Sequence, residues 1–489
     1  MIKNQSTIKL VFLLLLLVSC EQKRKYWIYF DRINCENSEW LDLTCQDRLA
    51  TYDIDLDYFS GWLNAGTALL TNSQVKALSH LTFVGEIQPV MELNFAPMAF
   101  HEEKMGLSFA LEQIEGEFFV DKELTGKGVK IGIIDGGFLE ANKKEGLAHI
   151  FKNNLVKAYK DFITPELKEY GGSKYADDGH GTEVWEQISG VNAERNVRFG
   201  LATEADFYLA RTDDGRKEYR QEEEYLIQAL EWMEKQEVKL VNISLGYSNG
   251  FDNPKENYLP KQIDGKFSAI TRAAGIASEE KGMLLVVSAG NDGNNDFKVL
   301  STPADAKGVI TVGATNFRTW NKAIYSSIGP EKLGYMKPNV SCFASNGTSF
   351  SAPVITGLSA CIMQMDSTLT NFDILSIIEQ SAHLYPFGNN FIGYGVPSCE
   401  KAFELVKSHK HKNVSEKDKQ FVVSQKNKIE LKIPESFKEL VLYHKSDSVN
   451  VLFQEKATCK DSIVSLVKPK GAKFTTVAAK DFVREVSWE

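Results

Sequence analysis

The chain has 489 residues, enough for one large domain with one or two smaller ones. With 43% hydrophobic and 25% charged residues it has the composition of an ordinary globular protein. The net charge of -9 excludes a broadly basic surface, so no nucleic acid is expected as a partner; the acidic balance mainly favours solubility.

At the N-terminus, Lys3 and Lys9 precede the apolar run Leu10 to Val18. Nine apolar residues are too few to span a bilayer but suit the core of a signal peptide. Leu17-Val18-Ser19-Cys20 resembles a bacterial lipobox. That makes residues 1–20 a lipoprotein signal peptide, with Cys20 lipidated and serving as the membrane anchor of an exported cell-envelope protein; an ordinary signal peptide with an incidental cysteine is the alternative. Each buried methylene of an acyl chain adds about 0.8 kcal/mol to such an anchor.

Residues 21–25 read as a charged tether. Tyr26 to about Leu93 reads as a small α/β unit: strand-like Tyr26–Phe30, helical Gln74–Leu81, strand-like Phe83–Val90. Residues 94–115, with Pro97, read as linker. From 116 to 408 apolar strands and helical patterns alternate. Strands are expected at Val129–Ile134, Val238–Ile243, Met283–Val287 and Val309–Val312. Tyr225, Leu226, Ala229, Leu230 and Met233 recur at helical spacing, and Phe267–Ser278 reads as a helix. Glu222 to Glu224 read as a solvated helix face rather than a metal site. This alternation predicts an α/β fold with a parallel sheet covered by helices on both faces. Residues 410–419 read as a linker, and 409–489 as a small β-rich C-terminal extension with strands at 429–433, 439–443, 449–453 and 462–467. Beyond Cys20 six cysteines remain, an even number that permits disulfides outside the cytoplasm. Cys35 with Cys45 is the local pair; Cys342 and Cys361 also read as buried apolar residues, and free thiols are the alternative for all six.

Three segments carry the chemistry: Ile131-Gly-Ile-Ile-Asp135-Gly-Gly137, Asp178-Gly-His180-Gly-Thr182 and Asn346-Gly-Thr-Ser349-Phe-Ser-Ala-Pro353. In order they supply a carboxylate, an imidazole and a hydroxyl, the parts of an activated serine nucleophile. The order Asp, His, Ser separates this set from esterases, which use Gly-x-Ser-x-Gly and place histidine last. With these motifs the chain resembles the subtilisin-like serine peptidases, the subtilase family, over nearly all of residues 116–408, including Pro303-Ala-Asp-Ala306, Val312-Gly-Ala314 and Lys337-Pro-Asn339.

The resemblance implies a serine endopeptidase with Asp135, His180 and Ser349 as its triad and Asn291, after the strand Leu284–Ser288, as an oxyanion donor. It implies that Ser244, Leu245 and Gly246 pair with extended substrate backbone, and that Ser288, Ala289 and Gly290 wall the primary specificity pocket. Small residues there point to large apolar substrate side chains. Read singly, each residue has a structural alternative: Asp135 closing a strand, Ser349 capping a helix, Asn291 in a turn. A catalytically silent homologue used for binding is the competing function, but all four groups are present. Ser60-Gly-Trp-Leu-Asn64 and Val84–Val90 resemble the prodomain of envelope subtilases of Bacteroidetes-type bacteria, implying autoinhibition by residues 21–115. No cofactor is required and no metal site is read; structural calcium is frequent in the family, but the sequence assigns it no ligands. Three departures stand out: Asp135 is followed by Gly136 rather than a hydroxyl residue, Glu183 replaces a second histidine, and few residues separate Lys337-Pro338 from Gly347-Thr348-Ser349.

Overall fold

The structure is a computed structural model that describes residues 23–30, 49, 52, 54–56, 58–60, 65–89, 105–166, 169–171, 176–214, 220–409, 421–434 and 437–489. Cys20 and its leader, Cys35, Cys45, residues 61–64 and the linker at 410–419 lie outside the described residues. The chain divides into two units, Met1–Glu103 and Lys104–Glu489.

The first unit holds a four-stranded antiparallel sheet in the order Tyr58–Ser60, Ala65–Leu70, Arg24–Phe30, Val84–Pro89. Its helix, Asn72–Leu78, starts earlier than the apolar pattern suggested, because Thr71 and Gln74 form a capping box there. Ile28, Phe30, Ala68, Leu70, Leu78 and Phe83 form its core.

The second unit is built on seven parallel strands: β1 (Lys130–Asp135), β2 (Val156–Asp161), β3 (Asp206–Arg211), β4 (Leu240–Ile243), β5 (Leu284–Ser288), β6 (Ile310–Thr315) and β7 (Val340–Phe343). Their order is β7-β6-β5-β4-β1-β3-β2. Side chains alternate between two cores, as the pleat requires. Ile131, Ile133, Phe207, Leu209, Leu284 and Val286 face one, with α1 (His180–Ser189), α4 (Ala352–Met365), α5 (Asn371–Ser381) and α6 (Cys399–His409). Ile134, Ala210, Val241, Ile243, Leu285 and Val287 face the other, with α2 (Gln221–Lys235) and α3 (Ala269–Glu279). Full burial of each such aliphatic side chain stabilises the fold by about 1.5–3 kcal/mol.

Three of these strands left no clear trace in the sequence pattern. β2 is the sheet edge and carries Lys157 and Lys160; β3 is bracketed by Asp206 and Arg211; β7 has only four residues. Residues 105–115, which resembled linker, belong to the second unit. Gln113 is buried there, accepting from Phe343 N–H (2.6 Å) and Thr315 Oγ1 (3.1 Å) and donating to the carbonyls of Asn316 and Phe317. Glu222 and Glu223 are buried rather than solvated, a correction to the sequence reading. Glu222 accepts from Asp214 N–H (2.9 Å), and Glu223 accepts from the Tyr258 hydroxyl (2.6 Å), with burial pushing its carboxyl pKa up.

The C-terminal region is β-rich. A five-stranded sheet runs in the order Phe421–Ser424, Phe482–Trp488, Phe474–Ala479, Glu439–Lys445, Val451–Thr458, beside the pair Lys428–Lys432 and Ile463–Val467. Val441, Tyr443 and Ala478 from this sheet pack with Leu384 and Ile392 of the main body. Cys342, Cys361 and Cys399 are buried free thiols and Cys459 is a partly buried one, so no described cysteine is in a disulfide. Burial pushes the Cys361 thiol up to about 12 and raises the Cys342 and Cys399 thiols as well, which leaves them as apolar core residues.

Candidate active site

The strand order reverses around β1, with β4 on one side and β3 on the other, so a crevice opens beyond the carboxyl ends of these strands. Asp135 ends β1. Ile134 is paired in register with Ile243, which brings Asp135 alongside Ser244. Asp135 is fully buried. Its Oδ1 accepts from Gly136 N–H (2.8 Å) and lies 2.6 Å from His180 Nδ1. Its Oδ2 is buried with no hydrogen-bond partner among the described residues, where a hydroxyl at position 136 is missing.

His180 is the first residue of α1. Glycine at 181 is a packing requirement: a Cβ there would fall 2.5 Å from the Gly137 carbonyl oxygen and 2.9 Å from Asp135 Cβ. The helix therefore starts in direct contact with the end of β1, which sets the Asp135–His180 distance. Val184, Trp185 and Ile188 hold α1 in the core. Glu183, in the place of a second histidine, points to the surface and binds Lys144 Nζ (2.7 Å).

Arg211 is the supporting residue that the sequence reading missed. It is buried at the end of β3. Its Nε donates to the Gly136 carbonyl (2.9 Å), Nη1 to Asp161 Oδ2 (3.1 Å) and Nη2 to Asp178 Oδ1 (3.1 Å). One guanidinium thus ties β2, β3, the residue after Asp135 and the residue two before His180. The available signal was a lone arginine closing an apolar strand, a charge that burial would force into pairs.

Ser349 lies in a single 3₁₀ turn, Thr348–Phe350, just ahead of α4 rather than opening that helix. Pro353 sits within the first turn of α4, where a missing N–H is tolerated. The Ser349 hydroxyl caps no helix, which removes the structural alternative for it. Instead it donates to the Ser244 carbonyl (3.1 Å), while the Ser244 hydroxyl donates to the Ser349 carbonyl (2.9 Å). The Phe350 ring packs 5.6 Å from the His180 ring.

Asn291 follows β5 through Gly290, whose φ of +101° and lack of room for a Cβ against Ser301 both demand glycine. Asn291 Oδ1 accepts from Thr348 N–H (2.9 Å), and Gly290 N–H donates to Thr348 Oγ1 (3.0 Å). With the carbonyl end of the amide engaged, Nδ2 is the end available to the exposed side.

His180, Asn291 and Ser349 line one cleft of about 340 Å³ together with Gly136, Ser244, Leu245, Gly246, Ser288 and Gly290. Ala289 does not line it; its side chain is fully buried in the core beneath. Asp213, Ser248, Asp292 and Ser301, not singled out in the sequence, complete the lining. Leu245 is the one large apolar side chain in this lining, which otherwise holds small and polar residues, two carboxylates and no lysine or arginine. Among the described residues no group of three or more His, Cys, Asp or Glu is arranged to hold a metal ion.

A parallel α/β sheet with a serine, a histidine and an aspartate converging at its carboxyl edge defines a serine-type hydrolase. Residues 126–395 match the Subtilase family, and the chain belongs to that family: it is a serine-type endopeptidase. It is 27% identical to subtilisin NAT of Bacillus subtilis subsp. natto over 356 residues, 70% of this chain and 81% of that protein. It is 24% identical to a thermostable alkaline protease of Halalkalibacterium halodurans over 386 residues, 77% of this chain and 91% of that protein. Among solved structures, the Clostridium perfringens CspB protease superposes with a TM-score of 0.50 at 15% identity, covering 61% of this chain and 99% of that one, a likeness of fold.

Proposed function

We propose that this endopeptidase works through Asp135, His180 and Ser349, with Asn291 as oxyanion donor. The observation that carries the assignment is the 2.6 Å contact of a buried carboxylate with His180 Nδ1, in a cleft that His180 shares with Ser349 and Asn291. Asp135 fixes the tautomer with the proton on Nδ1 and stabilises the imidazolium that forms. Nε2 takes the Ser349 proton once the hydroxyl turns from the Ser244 carbonyl. Oγ then bonds to the scissile carbonyl carbon, and the oxygen gains negative charge opposite Asn291 Nδ2 and the Ser349 N–H. Collapse breaks the C–N bond, the imidazolium gives its proton to the leaving amine, and water repeats the sequence on the acyl-enzyme. The substrate is a polypeptide in extended form, lying along Ser244–Gly246. None of these steps requires a cofactor, and structural calcium remains without assigned ligands.

A fluorophosphonate probe tests the assignment. Labelling of the intact chain that disappears in Ser349→Ala and collapses in His180→Ala is expected; equal labelling of Ser349→Ala overturns it.

The sequence further supports a lipid anchor at Cys20 in the cell envelope and inhibition by residues 21–115 until they are removed. Incorporation of an alkyne fatty acid that is lost in Cys20→Ser tests the first. Full-length mature protein with full activity would refute the second.

A further inference from the structure

The C-terminal β region meets the segment that flanks the Asn291 turn through the side chain of Gln454. Gln454 lies on the strand Val451–Thr458. Its amide pairs with the backbone of Lys322: the Lys322 N–H donates to Oε1 (3.1 Å), and Nε2 donates to the Lys322 carbonyl (3.2 Å). Lys322 is buried and has no carboxylate partner among the described residues. Its ammonium turns back on its own segment and donates to the carbonyls of Ala323 (3.0 Å), Ile324 (3.2 Å) and Ser326 (2.8 Å). Three donors meet three acceptors, so the segment is locked with its carbonyls inward. Removing the ammonium would leave the buried Ser326 carbonyl without a donor, while the Ala323 carbonyl would keep only the Ser326 N–H (3.1 Å), and the segment would turn to satisfy the loss.

The same segment forms one whole edge of the turn that carries Asn291. Ser327 N–H donates to the Gly290 carbonyl (3.1 Å), Ser327 Oγ accepts from Asp292 N–H (2.9 Å), and the Tyr325 carbonyl accepts from Gly293 N–H (2.8 Å). Gly293 packs so closely on the Ser326 backbone that a Cβ would collide with it. The Tyr325 hydroxyl donates to the Ala344 carbonyl (2.7 Å), on the approach to Ser349.

We propose that Gln454 and Lys322 are positioning residues for Asn291: the C-terminal β region clamps the backbone of Lys322, the ammonium fixes residues 322–327, and these fix the turn that aims the Asn291 amide at the developing oxyanion. The inference rests on the role proposed for Asn291. It makes the C-terminal region part of the catalytic apparatus.

The test is a double-mutant cycle in the full chain, with kcat on a peptide substrate expressed per site titrated by the fluorophosphonate probe, so that loss of folded protein does not enter. Asn291→Ala is expected to lower kcat roughly 100-fold or more. Gln454→Met, which keeps length and shape but loses the amide, is expected to lower kcat about tenfold with KM held within about twofold. Lys322→Met should do the same. In the Asn291→Ala background, Gln454→Met should cost no further kcat. Wild-type kcat in Gln454→Met, or the same tenfold loss in both backgrounds, overturns the proposal. An Asn291→Ala enzyme with undiminished kcat instead overturns the role of Asn291. If Gln454→Met fails to fold, Gln454→Glu retains the acceptor for the Lys322 N–H and should give an intermediate kcat; a wild-type value there also overturns the proposal.

Discussion

The two sides of the cleft are supported in different ways. On the Asp135–His180 side the support is ionic: Arg211 sits buried between Asp161 and Asp178 and holds the Gly136 carbonyl as well. On the Asn291–Ser349 side no ion pair takes part among the described residues; the Asp292 carboxylate, next to Asn291, accepts from the Ser248 hydroxyl (2.7 Å) and from Asn295 Nδ2. Thr348, Ser244 and Ser327 supply neutral hydrogen bonds, and the Lys322 ammonium is bound to carbonyls. A buried ion set has a fixed geometry but leaves an uncompensated charge when one member is lost. A neutral lattice gives way in smaller steps. In the proposed mechanism the first side sets the resting alignment of a base, while the second places donors where charge develops during reaction.

Substitutions sharpen this contrast. Ser349→Ala or His180→Ala should abolish peptidase activity, by about 10⁶-fold in kcat as in subtilisin itself, measured on the intact chain. Asn291→Ala should cost about 10²–10³-fold in kcat with KM little changed, a range also established in subtilisin. Arg211→Met should lower stability by about 3–5 kcal/mol in denaturant melts, because two buried carboxylates lose their cation. A loss below about 1 kcal/mol would show that the ionic side is not held as described.

The pH dependence of stability addresses buried lysines. Lys337 is fully buried among Thr311, Asn339 and the Val309 carbonyl, and burial pushes its pKa down from 10.5 to about 7 despite the nearby Glu379 and Asp305 carboxyls. Between those values the unfolded chain holds a proton that the folded chain has released, so folding gains stability as pH rises from about 7 to about 10.5. Lys337→Met should flatten the stability profile across that window; an unchanged slope would contradict the burial. The smallest effect is expected from Glu183→Gln, which removes an exposed pair with Lys144 and should change stability by no more than about 0.5 kcal/mol and leave activity intact.

Legibility in the sequence follows the same division. Asp135, His180 and Ser349 stood out because each is set beside glycine and next to an apolar run; contact demands glycine at 137 and 181, whereas a Cβ at 179 or 347 would meet no close neighbour. β1, β4, β5 and β6 were visible as continuous β-branched runs. β2 was not, because an edge strand of a parallel sheet carries lysines on a surface the others bury. Arg211, Lys322 and Gln454 were illegible for a different reason. Arg211 showed only as a lone arginine after an apolar run, and the partners of Arg211 and Gln454 lie tens to more than a hundred residues away; nothing local marks a lysine that will turn back on the carbonyls of its own segment or a glutamine that will pair with a distant backbone. The polar character of the cleft was likewise hidden, since Asp213 and Asp292 look like turn residues until the fold turns them into its lining.

The thiols embedded around the serine helix form a chemical clock. Cys342, Cys361 and Cys399 are fully buried and held protonated, while Cys459 is partly open on the C-terminal region. A thiol reagent applied to the native chain should therefore react first at Cys459 among these four. Its slow reaction at the other three would time how often the core around Ser349 breathes open, giving a readout of the catalytic scaffold that needs no substrate.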